Sequence, residues 1–342
     1  MTVGELRRLR AGAQLVAGEQ AARAEQAVER LLAVQAQDLG AGMLSLRARV
    51  PKLTIPDIHA AIGDRSIVVT WANRGTIHML RPDDLPWVLA LTAPTQRTGA
   101  LRRLALDGVT EANAGKAIDV IVRALADDGP LKREELRARV KQAGFEAEGQ
   151  ALVHLLFHAS YEGRIVRGPI TGRQHLFART EDWVGRQGKA PERTKALAEL
   201  ARRYLAGFGP ATAADLAYWA ALPLRDARAG LEQIASELAE HERGLVDLRR
   251  RGTAPERLPA RLLPLWDDVL VGWKDKTWLG QGARRVFAGG MIGPAAVRAG
   301  RIVGTWSRAN GRVAVAPFDN GSAHGFAAEQ RDVERFLATR PG

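Results

Sequence analysis

Apolar residues fall at helical spacing through most of the first 260 positions, and short basic runs of strand character interrupt the pattern. Ala27, Val28, Leu31 and Leu32 mark a helix predicted from about Ala21 to Val34. Two glutamines, Gln35 and Gln37, follow where that helix ends. Met43, Leu44, Leu46 and Val50 mark a second helix, stopped by Pro51. Thr54 is placed to cap a third through Ile55, Ile58 and Ile62, with Pro56 tolerated in the first turn. The stretch 66-SIVVTWANRGTIHML-80 then reads as two strands, with Asn73 and Gly75 in the reversal, where positive φ is needed. Asp83 and Asp84 stand at the start of the next helix as its cap.

The same order recurs twice. Ile118, Ile121, Val122 and Leu125 share a helical face that Gly129-Pro130 ends. A basic helix from Lys132 to Val140 and an apolar one from Ala151 to Ala159 follow, then the hairpin 163-GRIVRGPITGRQHLFAR-179. The third round predicts helices at Lys195–Leu205, Ala213–Trp219 and Arg225–Leu238, then a hairpin in 243-RGLVDLRRRG-252. Helices followed by a hairpin are the winged-helix pattern. From about Arg261 the composition shifts to Gly and β-formers: 269-VLVGW-273, 285-RVFAGGMIG-293, 301-RIVGTW-306 and 312-RVAVAPF-318. Asn310-Gly311 is the strongest hairpin signal in the chain. The predicted class is α+β. About three tandem winged-helix modules (1–110, 111–190, 191–260) precede an antiparallel β-barrel-like region (261–342), closed by a helix from Ala327 to Ala338.

Charge narrows the partner. Fifty Lys+Arg against 38 Asp+Glu give a net +12, most of the cations being Arg. Arg matches phosphate in bidentate fashion, so the balance favours nucleic acid. A GC-rich coding sequence would give the same bias. The absence of cysteine excludes disulfides, thiolate metal sites and cysteine nucleophiles. The first residues lack an apolar leader segment, and no apolar run is long enough to span a bilayer. A cytoplasmic, soluble protein with no membrane association is the expectation.

Familiar catalytic sets are missing. No nucleophile elbow, P-loop or dinucleotide fingerprint stands in its required context. His154, His158 and Glu162 have helical spacing for metal ligands but no supporting cluster, so no metal is expected. Asp267-Asp268 reads as a charged turn more readily than as a hydrolytic pair. On spacing alone, Gln35 and Gln37 are polar residues of the kind any helix end carries.

Gln35-Ala36-Gln37, followed by 70-TWANRGTIHMLRPDDLPWVLAL-91 and 262-LLPLWDDVLVGWKDK-276, resembles the AlkZ-like DNA glycosylases of bacteria. The resemblance runs over nearly the whole chain. It implies tandem winged helices with a β-barrel, and a catalytic Gln-Φ-Gln or Gln-Φ-Asp motif, Φ being aliphatic. The Asp variant is similar to the YcaQ type. Gln37 matches the type that confers self-resistance to azinomycin-like crosslinkers. By the resemblance, Gln35 and Gln37 are the catalytic pair. The partner is double-stranded DNA carrying N7-alkylated purines, in a bacterial, nucleoid-associated setting. Neither a cofactor nor an obligate protein partner is implied. Candidate DNA contacts are Arg74, Thr76 and His78 on and after the first wing, and Arg164, Arg167 and Arg173 on the second. Trp71 and Trp87 are expected in the core. The competing expectation is a non-catalytic winged-helix protein, a regulator or damage-binding factor, which has no need of the glutamine pair.

Overall fold

A computed structural model describes residues 1–145, 148–172, 174–288, 291–319 and 321–339. The chain divides into two compact units, Met1–Ile58 with Leu197–Gly342, and His59–Ala196.

Along the chain, the first unit begins with α1 (Val3–Ala13), α2 (Ala24–Leu31), a two-residue strand β1 (Val34–Gln35) and α3 (Leu39–Arg47). Thr2 and Glu5 form a reciprocal cap on α1. The helix expected to reach Val34 ends at Leu31, so Gln35 lies on extended backbone. The chain leaves the first unit within α4 (Ile55–Gly63).

The second unit carries the hairpin β2 (Val68–Trp71) and β3 (Ile77–Leu80), all eight residues buried. Unbroken burial marks strands covered on both faces. Helices α5 (Leu85–Leu106), α6 (Glu111–Asp128), α7 (Arg133–Gln142) and α8 (Ala151–Tyr161) follow. The hairpin β4 (Ile165–Thr171) and β5 (Gln174–Arg179) runs into the short α9 (Thr180–Val184). Within this unit the strands are antiparallel, in the order β3-β2-β4-β5. Trp71 and Trp87 are core residues, as the sequence suggested. Trp71 stacks on Phe177 at 6.4 Å and meets the Phe157 edge at 5.8 Å. Asp84 does not cap the next helix with its side chain; it accepts the Trp87 indole N–H at 3.1 Å.

The chain returns to the first unit within α10 (Arg193–Phe208) and continues through α11 (Ala213–Ala220) and α12 (Leu224–Gln233) to β6 (Leu238–Glu240) and β7 (Val246–Leu248). This hairpin lies upstream of its expected position. Arg243 at φ 61° and Gly244 at φ 70° make the reversal itself, so the strands flank those residues.

The closing region holds β8 (Arg261–Leu263), α13 (Asp268–Val271), α14 (Ala283–Val286), the minimal hairpin β9 (Phe287–Ala288) and β10 (Met291–Ile292), β11 (Ala295–Arg298), β12 (Arg301–Ala309), β13 (Arg312–Pro317) and α15 (Ala327–Ala338). Residues 269–271 are helical rather than extended, because Asp267 accepts the Val269 N–H at 2.9 Å and caps a turn. Asn310 (φ 50°) and Gly311 (φ 80°) join β12 to β13 as the dipeptide predicted. The main sheet is antiparallel in the order β13-β12-β11-β8, with two ends; the described strands form no closed barrel. Its apolar face, with Leu262, Ala296, Trp306 and Val313, packs on Phe326 and Val333 of the α15 region.

Two arginines tie α3 to this region. Arg47 bonds Glu329 at 3.0 Å and the Leu262 carbonyl at 2.7 Å. Arg49, fully buried, grips Asp267 with both nitrogens, at 2.8 and 2.9 Å. Ser45 donates to Asp267 at 2.8 Å, and Gln14 accepts from Arg49 at 2.8 Å while donating to the Gly207 carbonyl at 2.7 Å. Asp267 is thus a charged turn residue whose carboxylate is buried and committed to Arg49. Removing one partner of such a pair strands the other in the core, at a cost of about 3–5 kcal/mol. Asp267→Asn should therefore lower the urea-unfolding free energy by about that much, while the volume-matched apolar pair Arg49→Met/Asp267→Leu recovers much of it. Equal losses in both variants would show that the charges are not what matters there.

Candidate active site

The glutamine motif is positioned from both sides. Upstream, α2 stops at a three-residue turn in which the Ala33 N–H donates to the Leu31 carbonyl at 2.7 Å. Leu32 at its centre has φ 64° and ψ −50°, the rare and strained hand of the γ-turn. Such a conformation costs about 1–3 kcal/mol. Complete burial of the Leu32 side chain contributes about 1.5–3 kcal/mol, enough to hold it. The turn converts helix to extended chain just before Gln35.

Downstream, α3 rests on the motif. A Cβ on Gly42 would stand 2.9 Å from the Ala36 Cβ and 3.0 Å from the Gln35 carbonyl oxygen. Only a glycine opposite a small residue permits that approach, which explains why the middle position is Ala36, itself buried. Asp38 caps α3, its Oδ1 accepting the Ala41 N–H at 2.8 Å. Gln35 is half-buried and Gln37 exposed. The Gln35 side-chain oxygen is buried, and among the described residues nothing donates to it. A buried acceptor without a donor costs about 1–3 kcal/mol, so native proteins rarely keep one without use.

In the second unit, Arg74 occupies the β2–β3 turn at φ 54°, followed by Gly75 at φ 75°. Tyr161 holds this turn, its hydroxyl donating to the Ala72 carbonyl and accepting the Gly75 N–H at 3.1 Å. Thr76 donates to the Asn73 carbonyl at 3.2 Å. His78 is buried, its Nδ1 2.9 Å from the Thr76 carbonyl, which fixes the proton on Nδ1. Burial, then the neighbouring Arg74 charge, push its pKa down to about 3. Arg164 pairs with Asp119 at 2.7 Å and lies 3.8 Å from Glu162. Arg167 lies over the Trp71 ring at 4.6 Å and the Phe177 ring at 5.4 Å, and desolvation lowers its pKa to about 10. Its charge is therefore committed to an aromatic stack rather than displayed at the hairpin tip. Arg173 lies outside the described residues. Arg74, Thr76 and His78 thus share one hairpin, whereas Gln35 and Gln37 belong to the other compact unit.

Sequence reasoning missed Gly42, read Leu32 as helical, and did not foresee the burial of Asp267. The signal for Gly42 was present as two glycines, Gly40 and Gly42, inside a helical pattern. Asp267 gave no signal of burial against Arg49.

The AlkZ-like DNA glycosylase family model matches residues 28–338, from the helix before the glutamine motif to the last helix. The chain belongs to the AlkZ-like DNA glycosylase family. A curated relative, the interstrand DNA cross-link repair glycosylase of Streptomyces sahachiroi, is 29% identical over 320 residues, covering 86% of this chain and 85% of that protein. The solved Streptomyces sahachiroi DNA glycosylase AlkZ superposes with a TM-score of 0.82 at 26% identity, over 100% of this chain and 98% of the other. The protein is thus a DNA glycosylase of mixed α/β architecture. The described residues of this AlkZ-like chain include no helix long and apolar enough to cross a membrane.

Two expectations follow from the geometry. Gly42→Ala should cost about 1–3 kcal/mol by overpacking, and it should lower the excision rate constant at saturating enzyme more than it weakens DNA binding. An unchanged rate would show that α3 does not set the motif. The second concerns His78. Its folded pKa lies near 3, below the ordinary 6.5 of the unfolded chain. The unfolded state therefore binds the proton first, and stability present above pH 6.5 is lost as pH falls towards 3. Between pH 6.5 and 5 the loss is about 2 kcal/mol. A His78→Gln variant should lose less melting temperature than the wild type between pH 7 and pH 5; an equal loss would refute the assignment.

Proposed function

We propose that this glycosylase is monofunctional and hydrolyses the N-glycosidic bond of N7-alkylated purines in duplex DNA, with Gln35 and Gln37 as its catalytic pair. The observation that carries this reading is the buried Gln35 side-chain oxygen, to which nothing among the described residues donates. A water donating to that oxygen would be oriented towards the anomeric carbon. Gln37 is exposed, and in this reading it meets the sugar-phosphate.

A neutral pair suits this substrate. Alkylation at N7 makes the base cationic, so it is already a good leaving group. The bond between the anomeric carbon and N9 breaks with its electrons passing to the base, which departs neutral. The sugar approaches an oxocarbenium ion. Water adds to the anomeric carbon and its proton passes to solvent, since an amide accepts none. Ordinary glycoside hydrolysis needs a carboxylic acid to protonate the leaving group; here the lesion supplies that activation. The protein supplies position and polar stabilisation. Unmodified purines, uncharged at N7, should react poorly. The relative's description as a cross-link repair glycosylase supports extending the substrates to cross-linked purines. We read the recurring helix-and-hairpin runs as winged-helix modules that bind the duplex, with Arg74 and Arg164 among the phosphate contacts.

In a single-turnover assay on a duplex with one N7-methylguanine, wild type should generate abasic sites. Gln35→Ala/Gln37→Ala should slow excision by at least about 100-fold, the scale of losing oriented polar groups, with DNA affinity retained. Excision by the double variant at the wild-type rate would remove the pair from the mechanism.

A further inference from the structure

The turn that presents Arg74 is built a second time, in the other unit. In the β2–β3 hairpin the Ala72 N–H donates to the Thr76 carbonyl at 3.2 Å and the Thr76 N–H returns to Asn73 at 3.1 Å. In the β6–β7 hairpin the His241 N–H donates to Leu245 at 2.8 Å and the Leu245 N–H returns to Glu242 at 3.4 Å. Both turns place an arginine in the left-handed region before a glycine: Arg74 at φ 54°, ψ 23°, and Arg243 at φ 61°, ψ 28°. A non-glycine residue pays for that conformation, so its recurrence at the same turn position points to the side chain it displays.

Arg243 is exposed, and it lines a cavity of about 650 Å³ together with Arg10, Lys274 and Trp278. Lys274 is exposed, and among the described residues neither its side chain nor that of Arg243 has an ion-pair partner. Trp278 is 5% exposed, and among the described residues its indole N–H has no acceptor. Arg10 lies between the Trp273 and Trp278 rings, at 4.8 and 5.0 Å. The cavity's two carboxylates are already engaged. Asp215 accepts from Thr212 at 2.9 Å and from the Lys274 backbone N–H at 2.8 Å, and it lies 3.9 Å from Arg10. Asp275 accepts from the Thr277 N–H and hydroxyl, each at 2.8 Å. What remains is two uncommitted cations and an orphan donor, the inventory of an anion site.

We propose that this cavity is a second nucleic-acid contact, in which Arg243 and Lys274 hold the phosphodiester backbone of duplex DNA apart from the residues that cut the glycosidic bond. The proposal rests on the DNA glycosylase reading and adds a site to it. Each cation that neutralises a phosphate displaces condensed counterions, so the pair leaves a countable mark on the salt dependence of binding.

The test is fluorescence anisotropy of a labelled undamaged duplex from 50 to 300 mM salt, with wild type and Arg243→Ala/Lys274→Ala. The variant should bind about 10-fold more weakly at low salt, with a log–log salt slope shallower by about 1–2. Its melting temperature should match wild type. The charge-preserving Arg243→Lys/Lys274→Arg variant should restore the slope. Identical slopes in wild type and the Ala variant would overturn the site while leaving the glycosylase reading intact. Binding by wild type that ignores salt would overturn both. Inorganic phosphate, added at constant ionic strength, provides a separate arm. If it stabilises wild type but not the Ala variant, and the DNA slopes are equal, the cavity is a free-phosphate site and the proposal fails.

Discussion

The buried Arg49–Asp267 pair is the constraint from which the geometry of the glutamine motif follows. Two charges taken out of water are tolerated only in good geometry and with further hydrogen bonds around them; of the Arg49 nitrogens, only Nε lacks an acceptor among the described residues. Here Ser45, Gln14 and the Val269 N–H join the pair, so Arg49 and Asp267 admit little adjustment. Arg47, two residues earlier, is held just as firmly by Glu329 and the Leu262 carbonyl. The C-terminal end of α3 is therefore fixed, and with it Gly42, which sits against Gln35-Ala36. The γ-turn at Leu32 fixes the other side. The role we propose for Gln35, orienting one water within a fraction of an ångström, needs backbone of this kind beneath it.

The chemistry explains why such a rigid frame ends in uncharged groups. On the mechanism we propose, a protein with net charge +12 accepts a cationic base. A carboxylate would bind that base strongly in the ground state, whereas catalysis gains only from what binds the transition state better. An amide carbonyl offers a modest dipole, and its value lies in being placed beforehand. The unmet acceptor at Gln35 costs folding energy that an apolar residue would not, and occupation by water during the reaction would recover it. His78 follows the same logic in another way: buried beside Arg74, it stays neutral across the physiological range and adds no further charge.

Much of the architecture was legible because it depends on local signals. Asn310-Gly311 specified its hairpin, Ala327–Ala338 its helix, and the apolar run 66–71 its buried strand. Errors arose where distant residues decide. Burial of Leu32 ended a helix that periodicity alone would have extended to Val34. The Asp267 cap turned 269–271 into a helix although β-formers fill it. Gly and β-formers suggested a barrel-like or curled antiparallel region; the antiparallel sheet is there, but strand order depends on contacts across tens of residues, and among the described strands β8 and β13 end the sheet unjoined. For the site, Gln35 and Gln37 stood out only through resemblance. No pattern in the chain could show that Arg167 would lie on Trp71, or that Asp267 would hold Arg49, because neither pairing leaves a trace in local periodicity.

The central claim is that the Gln35 carbonyl holds the attacking water. The most direct measurement is a crystal structure with a duplex that carries a cationic azasugar at one position, an uncleavable mimic of the oxocarbenium sugar. An ordered water within hydrogen-bonding distance of the Gln35 side-chain oxygen, and facing the atom that replaces the anomeric carbon, is the predicted result. A Gln35 oxygen bonded instead to protein or base, with the water held by a different residue, would contradict it.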